Sequence, residues 1–352
     1  MNQRNAISVG RWTRLSAIST GCALALVVAL AFVPVALSAN TTDRLTTLFI
    51  YVILAAMWNA LAGYAGLASV GQQAFFGLGA YATIRLAQQG MNVYAALVLG
   101  ALLAGAVAVP MSMLMLRLRG GEFAIGMWVV AEVCFGLVIL DKSVGGLTGT
   151  SLIALNKYNA DDQRAYNYWM ALGAAVVLLV LLFVLLRSRT GASLQAIRDD
   201  EEAAASVGVR VLAGKGVIFV LAGVGCAMAG SLWLATSITF QPKSYFGVEW
   251  TAYMIFMALA GGLGTFEGPI IGAIVFFVIQ EQFGDSGVWY LVGLGAAAVG
   301  FALLLPRGLW GAVEGRFGIQ LFPVGYRLRG LDSTATRAHP ERTRNRDEGE
   351  RS

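Results

Sequence analysis

Ten apolar stretches of about twenty residues, nearly free of charged side chains, follow one another along this chain of 352 residues. A stretch of that length is what a helix needs to cross the hydrocarbon core of a bilayer. Only 13% of the residues are charged, against about 25% in soluble domains. The pattern predicts an all-α integral membrane protein with about ten transmembrane helices. The predicted spans are 17–38, 45–62, 64–84, 93–116, 123–140, 166–186, 216–236, 249–263, 268–283 and 287–305.

The distribution of basic residues predicts the orientation. With the N-terminus inside, 19 Lys and Arg residues fall in cytoplasmic segments and 6 in outer segments, as the positive-inside rule requires. We therefore expect a multi-pass protein of the cell membrane with both termini cytoplasmic. Its parts would be a cytoplasmic N-terminus (1–16), a permease domain (17–310) and a cytoplasmic tail (311–352). The tail beyond about residue 330 is rich in charge without apolar periodicity, which predicts disorder.

Residues for catalysis or metal binding are scarce. The one histidine, His339, lies in the tail, and the three cysteines lie inside predicted spans, where a buried free thiol is expected. The segment Gly214–Gly216 lacks the spacing and the hydroxyl residue of an ATP-binding P-loop. The net charge of +5 reports orientation and does not imply nucleic-acid binding. We expect no enzyme activity, no metal and no cofactor in the chain itself, so a partner or an ion gradient must supply any energy for transport.

Two polar segments interrupt the apolar pattern. Residues 187–214 form a charged, helix-prone segment on the predicted cytoplasmic side, where a soluble partner can dock. Ser193 is expected to cap its helix and Gly208 to end it. The loop 141–165 is the longest predicted outer segment and contains the turn-rich run Gly145–Thr150. This loop is either a docking surface for a protein that delivers cargo or a plain connector.

Two glycine-rich clusters occupy roughly matching places in the two halves of the chain. Interrupted hydrophobic segments at such places point to a transport pathway, because broken backbone at membrane depth must pack against protein or line a wet cavity. The alternative is that the glycines allow helices to pack closely, or that the second cluster is a tight cytoplasmic turn. The predicted pathway residues are Gly63, Gly66, Ser69, Gly71, Gln72, Phe75, Gly261, Gly262, Gly264 and Glu267.

Glu132 is a single acid in the middle of a predicted span. A carboxylate at that depth is costly and functional by default. It can instead be a neutral or hydrogen-bonded contact between helices. A proton relay is disfavoured, because no second acid or histidine lies within a turn of it.

Several motifs in fixed order resemble one transporter family. They are Gly63-Tyr-Ala-Gly66 through Tyr81, Arg187-Ser-Arg189-Thr-Gly191 running into Arg198–Ala204, Ser244–Phe246, Gly261–Pro269 and Leu305–Leu309. The chain resembles the membrane permease subunits of branched-chain amino acid ABC importers, in particular the longer of the two permeases that usually pair. It departs from the wider ABC-importer signature after Gly208, where Phe219-Val220-Leu221 follow Ile218 instead of an I-x-L-P ending.

The resemblance implies a function, partners and a site. The chain would form part of the path for branched-chain amino acids, with urea or short amides as the alternative cargo and an ion-gradient-driven transporter as the less favoured alternative. The implied partners are a second permease subunit, two ABC ATPase subunits that bind the ATP, an extracytoplasmic substrate-binding protein and membrane lipid. A cytoplasmic coupling helix would dock the ATPases through Arg198, Glu201, Glu202, Ala203, Ala204 and Gly208.

Overall fold

A computed structural model describes residues 8–10, 14–305, 307–317, 321–322 and 327–329. Most of the predicted N-terminal segment 1–16, the tail beyond residue 330 and His339 lie outside the described residues. The predictions made for them stay predictions.

Within the described residues the chain forms fifteen α-helices, joined by short connections. They are α1 (Arg14–Ala31), α2 (Val33–Ala36), α3 (Ala39–Asn59), α4 (Gln73–Gln88), α5 (Val93–Met115), α6 (Gly120–Ile139), α7 (Ala160–Arg187), α8 (Arg189–Asp199), α9 (Glu201–Ser206), α10 (Val211–Ser237), α11 (Pro242–Tyr245), α12 (Glu249–Gly261), α13 (Gly268–Phe283), α14 (Val288–Leu304) and α15 (Gly308–Phe317). The predicted all-α class is confirmed.

Six helical segments in the described part of the chain are long and apolar enough to cross a membrane. They are Ala39–Tyr64, Val93–Met115, Gly120–Ile139, Ala160–Arg187, Val211–Ser237 and Trp289–Phe317. Two further apolar helices, Ile18–Ala31 and Gly268–Phe283, are shorter. The chain is therefore a multi-pass membrane protein by length and composition, and the count of ten spans stays a prediction.

Helix α10 lies at the centre of the bundle and packs most extensively against α5 and α4. Glycines allow this close approach. A Cβ atom on Gly79 of α4 would lie 2.1 Å from the carbonyl oxygen of Ala227, and one on Gly230 of α10 would lie 1.9 Å from that of Phe76. A buried hydrogen bond of 2.9 Å from the Thr83 hydroxyl to the Ser231 hydroxyl joins the same two helices. In lipid the hydrophobic effect does not favour association of helices, so close packing of small residues and hydrogen bonds between hydroxyls stabilise helix pairs.

Helices α5, α6 and α7 form an outer layer. They expose large apolar side chains, among them Leu102, Val129, Val133, Leu181 and Val184, whereas α3 and α10 are mostly buried. Exposed aliphatic side chains on helices of this length are expected to face lipid or another membrane subunit.

The backbone is broken between α3 and α4. Helix α3 ends in a π-helical turn, Ala60–Tyr64, and residues 66–72 are not helical. Helix α4 begins only at Gln73, so the predicted helical span 64–84 was wrong at its start. Gly66, with φ +68°, begins this non-helical stretch, where a side chain would strain the backbone.

Two short antiparallel strand pairs complete the described structure. Strand β1 (Ser8–Gly10) pairs with β4 (Arg327–Arg329). Strand β2 (Thr150–Ser151) pairs with β3 (Thr239–Phe240), with Thr150 opposite Phe240. The second pair ties the loop 141–165 to the segment that follows α10.

Candidate functional site

The charged segment 187–214 folds as two helices with a break at Asp200. The Ser188 hydroxyl caps α8 by accepting a hydrogen bond of 3.2 Å from the Thr190 N–H. Asp200 is extended, and its carboxylate caps α9 by accepting from the N–H groups of Glu202 and Ala203 at 3.0 and 2.9 Å. The predicted cap at Ser193 was wrong, because the Ser193 hydroxyl donates to the Arg189 carbonyl. An Asp cap restarts the helix one turn before the alanines.

Arg198 connects α8 to the broken segment. Its guanidinium donates a hydrogen bond to the main-chain carbonyl of Gly63 in the π-helical turn. The same guanidinium lies beside Gly264, where an added Cβ would be 2.6 Å from Arg198 Nη1. Leu194 and Ile197 hold α8 against the bundle because they are fully buried on its inner face. One arginine from the polar segment thus contacts both glycine clusters.

Glu201 and Ala204 face inward from α9. The Glu201 carboxylate forms an ion pair of 2.6 Å with Lys215 Nζ of α10, and the Lys215 side chain is only 9% exposed. Ala204 is buried at 4% exposure. These two residues fix α9 to the first turns of α10.

The opposite side of α9 is open. Glu202 is 87% exposed and forms a loose ion pair of 3.7 Å with Arg119. Ala203 is exposed, and Val207 is 79% exposed. Gly208 ends the helix with φ +87°, and no atom lies within 4 Å of the Cβ it lacks. The six predicted coupling residues thus divide into three that hold the helices on the bundle (Arg198, Glu201, Ala204) and three on a free surface (Glu202, Ala203, Gly208).

The structure brings the two glycine clusters together through Asn59. Its side-chain N–H donates to the Thr265 carbonyl at 2.9 Å, and its side-chain oxygen accepts from the Gly264 N–H at 2.8 Å. Gly63 lies against this contact, because a Cβ there would be 2.5 Å from the Gly264 nitrogen. The end of α3 and the α12–α13 connection therefore form one packed unit.

The second cluster is a tight connection. A Cβ on Gly261 would lie 1.9 Å from the Gly268 carbonyl oxygen, and Gly262 has φ +133°. The Glu267 carboxylate accepts a hydrogen bond of 2.7 Å from the Phe322 N–H. Burial raises the pKa of this carboxyl above its ordinary value. This geometry is that of a compact turn with an anchored acid.

The non-helical segment after Gly66 packs against α3 and α6. The Trp58 indole donates to the Ser69 carbonyl at 2.9 Å, and the Ser69 hydroxyl accepts from the Gly71 N–H at 3.3 Å. A Cβ on Gly71 would lie 1.9 Å from the Met127 carbonyl oxygen of α6. Ser69 and Gly71 are thus held against protein, whereas Gly66 and Ala68 of the same segment are exposed.

Gln72 and Phe75 are fully buried. The Gln72 side-chain amide has no hydrogen-bond partner within the described residues, and the Phe75 ring packs edge-on against Phe219 with centroids 5.6 Å apart. Packing within this chain therefore accounts for Phe75, Gly71 and Gly63. That these residues line a path for cargo stays a prediction.

A cavity of about 510 Å³ lies at the end of the bundle opposite α8 and α9, and the sequence did not indicate it as a site. Its walls combine aromatic rings and polar groups. The rings are Tyr51, Trp233, Tyr245, Trp250 and Tyr253. The polar side chains are Ser237, Thr239, Gln241, Ser244, Glu249 and Gln280. The available signal was the run 241–253, in which Gln241, Lys243, Ser244 and Glu249 are interspersed with aromatic residues.

A second cavity of about 470 Å³ adjoins the first and shares Gln241, Ser244 and Glu249 with it. Glu132 of α6 and Lys243 also line this second cavity. Glu132 is exposed, and its carboxylate has no hydrogen-bond or ion-pair partner in the part of the chain that the structure describes. It is therefore not the hydrogen-bonded contact between helices that was one alternative for it, and it faces the surface of this chain.

The model of the branched-chain amino acid transport system permease component matches residues 40–305. That range covers α3 to α14, with the charged segment 187–214, both glycine clusters and both cavities. The chain belongs to this permease family.

Individual relatives agree with the family match. The permease is 28% identical over 311 residues to the high-affinity branched-chain amino acid transport system permease protein LivM of Escherichia coli strain K12, covering 81% of this chain and 73% of that protein. It is 22% identical over 138 residues to the probable LivM of Methanocaldococcus jannaschii, covering 39% and 40%. The L-arabinose transport system permease protein AraH of E. coli K12 is 29% identical over 153 residues, covering 41% and 44%. No solved structure matches the permease significantly.

Proposed function

We propose that this permease is the membrane subunit of an ABC importer of branched-chain amino acids. Membership of the family and the likeness to LivM support the cargo class. The observation that supports the coupling mechanism is the Arg198–Gly63 hydrogen bond, because it joins the polar segment to the broken backbone between α3 and α4. Transport by this chain needs no chemistry of its own, only a change of shape that a partner drives.

The proposed topology has ten spans, with α1, α3, α4, α5, α6, α7, α10, α12, α13 and α14 crossing in turn. The charge asymmetry supports a cytoplasmic location for both termini and for α8–α9. The short helices α12 and α13 are compatible with crossing, because buried bundle helices can be continued by the packed turns at their ends. This arrangement puts the Arg198 contact on the cytoplasmic side and the aromatic cavity on the outer side.

The proposed partners follow from this arrangement. Two ABC ATPase subunits bind ATP and dock on the exposed side of α9, at Glu202, Ala203, Val207 and Gly208. A second permease subunit covers the largely apolar face of α6 that carries Glu132, Trp128, Val129 and Val133. A substrate-binding protein delivers cargo at the outer loop 141–165, which the β2–β3 pair ties to the segment after α10.

Coupling runs through rigid contacts. The Glu201–Lys215 ion pair ties α9 to α10, and Arg198 ties α8 to the end of α3 and to the Gly264 turn. A push on α9 by the ATPases would therefore reach α10, α3 and the α12–α13 connection together. Packed elements transmit such movement because their interfaces do not deform gradually.

Substitution on the open side of α9 tests the docking. We expect Val207→Asp to abolish leucine-stimulated ATP hydrolysis of the purified importer complex, because a charge replaces an exposed apolar contact. Yield and thermal unfolding of the permease should stay unchanged, since Val207 is 79% exposed. Leucine, isoleucine and valine are the cargoes to assay, with urea as the comparison.

The matched control is Val207→Ile, which keeps an apolar side chain at the same exposed position and should leave the ATPase activity intact. Full leucine-stimulated hydrolysis in Val207→Asp would remove α9 as the docking site. Uptake of urea without uptake of leucine would overturn the proposed cargo.

A further inference from the structure

The two adjoining cavities at the outer end of the bundle combine opposite charges with aromatic walls. Glu249 lines both cavities, and Lys243 and Glu132 line the second. Trp233 and Trp250 meet edge to face with ring centroids 4.9 Å apart, and Tyr253 packs edge-on against Trp250 at 5.9 Å. The volume of about 510 Å³ is within the range of small-molecule sites.

The charged side chains that line these cavities have no partners among the described residues. Glu249 and Glu132 have no side-chain hydrogen bond or ion pair within the described residues, and Lys243 has none either. Carboxylates on a membrane-embedded surface are costly against lipid and are kept where they face water or a partner. Seven other ion pairs within the described residues satisfy acids elsewhere, including Glu201, Glu202 and Glu281. Glu122 and Asp162 are also without partners among the described residues, but only Glu249, Glu132 and Lys243 line a cavity together.

The polar groups also include an unpaired amide. The Gln280 side-chain oxygen is buried without a hydrogen-bond partner in the described structure, and Gln280 lines the first cavity. A buried acceptor left unpaired is costly unless a ligand or water reaches it. It lies near the C-terminal end of α13, on the same wall as Tyr51 and Tyr253 of the cavity.

We propose that these cavities form a binding site for the zwitterionic amino acid on its way through the permease. Glu249 accepts the α-ammonium group, Lys243 donates to the α-carboxylate, and the rings of Trp233, Trp250 and Tyr253 contact the apolar side chain. The proposal rests on the proposed function and specifies its cargo contacts. Urea and short amides carry neither charge and would leave the Glu249 and Lys243 positions unpaired.

Binding at this site must be weak enough for release. Cargo has to enter from the outer side and leave toward the cytoplasm, and conduction requires sites that bind without trapping. Aromatic faces suit this need, because they attract an ammonium group and pack against a branched side chain without fixing one orientation. Glu132 lies beside the site on α6 and adds negative potential at its edge.

Protection of an engineered cysteine tests the site. Ser244→Cys is introduced into a permease whose Cys22, Cys134 and Cys226 are replaced by Ala, and the whole importer complex is labelled with a neutral maleimide. We expect leucine to slow the labelling of this cysteine. We expect 4-methylpentanoate, which is leucine without its ammonium group, to leave the rate unchanged.

Removal of the Glu249 charge tests whether this carboxylate binds the α-ammonium group of leucine. In Glu249→Gln the leucine concentration that gives half-maximal protection should rise by about tenfold, which corresponds to about 1.4 kcal/mol. The matched control is Glu122→Gln, an exposed acid in the first turn of α6, where protection should be unchanged. Equal protection by leucine and 4-methylpentanoate, or unchanged protection in Glu249→Gln, would overturn the proposal.

Leucine uptake by the unlabelled complex distinguishes failure of the proposed site from failure of the proposed function. Uptake without any protection of Ser244→Cys refutes the site and leaves the proposed function standing. Absence of uptake of leucine, isoleucine and valine refutes the proposed function and the site with it. A cysteine that the maleimide never reaches in any state also refutes the site.

Discussion

The guanidinium of Arg198 donates a hydrogen bond to the carbonyl oxygen of Gly63, 135 positions earlier in the chain. Gly63 belongs to the π-helical turn that ends α3, and the carbonyl is available because the regular helical pattern is disturbed there. The contact joins the charged segment 187–214 to the point where the backbone leaves the helix. Movement of α8 would therefore shift the start of the broken segment directly.

Gly71→Ala should destabilise the permease. A Cβ at this position would lie 1.9 Å from the Met127 carbonyl oxygen, and overpacking of this kind costs about 1–3 kcal/mol. Gly173→Ala is the matched control in α7, where nothing lies within 4 Å. The midpoint of thermal unfolding in detergent should fall for Gly71→Ala and not for Gly173→Ala. Equal midpoints would show that α6 does not pack on this segment as described.

Glu201→Ala should destabilise the permease more than Glu202→Ala does. Removal of Glu201 leaves the Lys215 ammonium without its partner at 9% exposure. We expect a loss of about 2–3 kcal/mol, less than the full cost for a wholly buried pair because Glu201 is one-third exposed. Glu202 and Arg119 are exposed, so Glu202→Ala should cost under about 1 kcal/mol. Chemical denaturation of both variants checks the order, and the reverse order would contradict it.

Asp141→Asn should destabilise, in a pH-dependent way, the end of the bundle that carries the loop 141–165. Hydrogen bonds from the Ser143 hydroxyl, the Tyr81 hydroxyl and the Ser143 N–H lower the pKa of Asp141 from 3.8 to about 2, and Arg85 adds to this. A lowered carboxyl pKa contributes stability above the unfolded-state value, and this contribution is lost as the pH falls from about 4 to about 2.

The measurement for Asp141 is the unfolding midpoint of wild type and variant at several pH values. We expect a gap of a few degrees at neutral pH that shrinks below about pH 4, where the Asp141 carboxyl of the unfolded chain begins to protonate while that of the folded protein stays ionised. Asp162→Asn, an exposed acid in the first turn of α7, is the control and should show no such trend. A gap that does not change with pH would contradict the assignment.

Cysteine labelling tests the proposed topology. Ser151→Cys in the outer loop should react with an impermeant maleimide added outside intact cells, because Ser151 is exposed on β2. Ser206→Cys at the end of α9 should react only after the membrane is opened. Labelling of Ser206→Cys from outside would place α8 and α9 on the wrong side and would rule out docking of cytoplasmic ATPases there.

The helices could be predicted from sequence where uncharged runs are flanked by charge or turn residues. The predicted 93–116 and 268–283 differ by at most one residue from Val93–Met115 and Gly268–Phe283. Gly208 was correctly predicted to end a helix, because a backbone conformation with φ +87° favours glycine. Local signals sufficed for these features.

The contacts that define the site depend on tertiary packing. Nothing near Arg198 in the sequence indicates Gly63 as its partner, and the Asp200 break was missed because the surrounding alanines and glutamates favour a continuous helix. The aromatic cavity was missed for a related reason. Tyr51, Trp233, Trp250 and Gln280 come from four different helices and resemble ordinary core or interfacial residues until the fold brings them together.

The ratio of leucine imported to ATP hydrolysed tests the central claim most directly. It is measured for the reconstituted importer complex carrying Arg198→Ala, with Arg189→Ala as control, since Arg189 is an exposed arginine at the start of the same helix. We expect Arg198→Ala to keep its bound ATPases while leucine uptake per ATP falls by about tenfold or more, the effect of losing a charge-assisted contact. Arg189→Ala should match wild type. A wild-type ratio in Arg198→Ala would contradict the claim that this arginine transmits movement from the coupling segment to the membrane path.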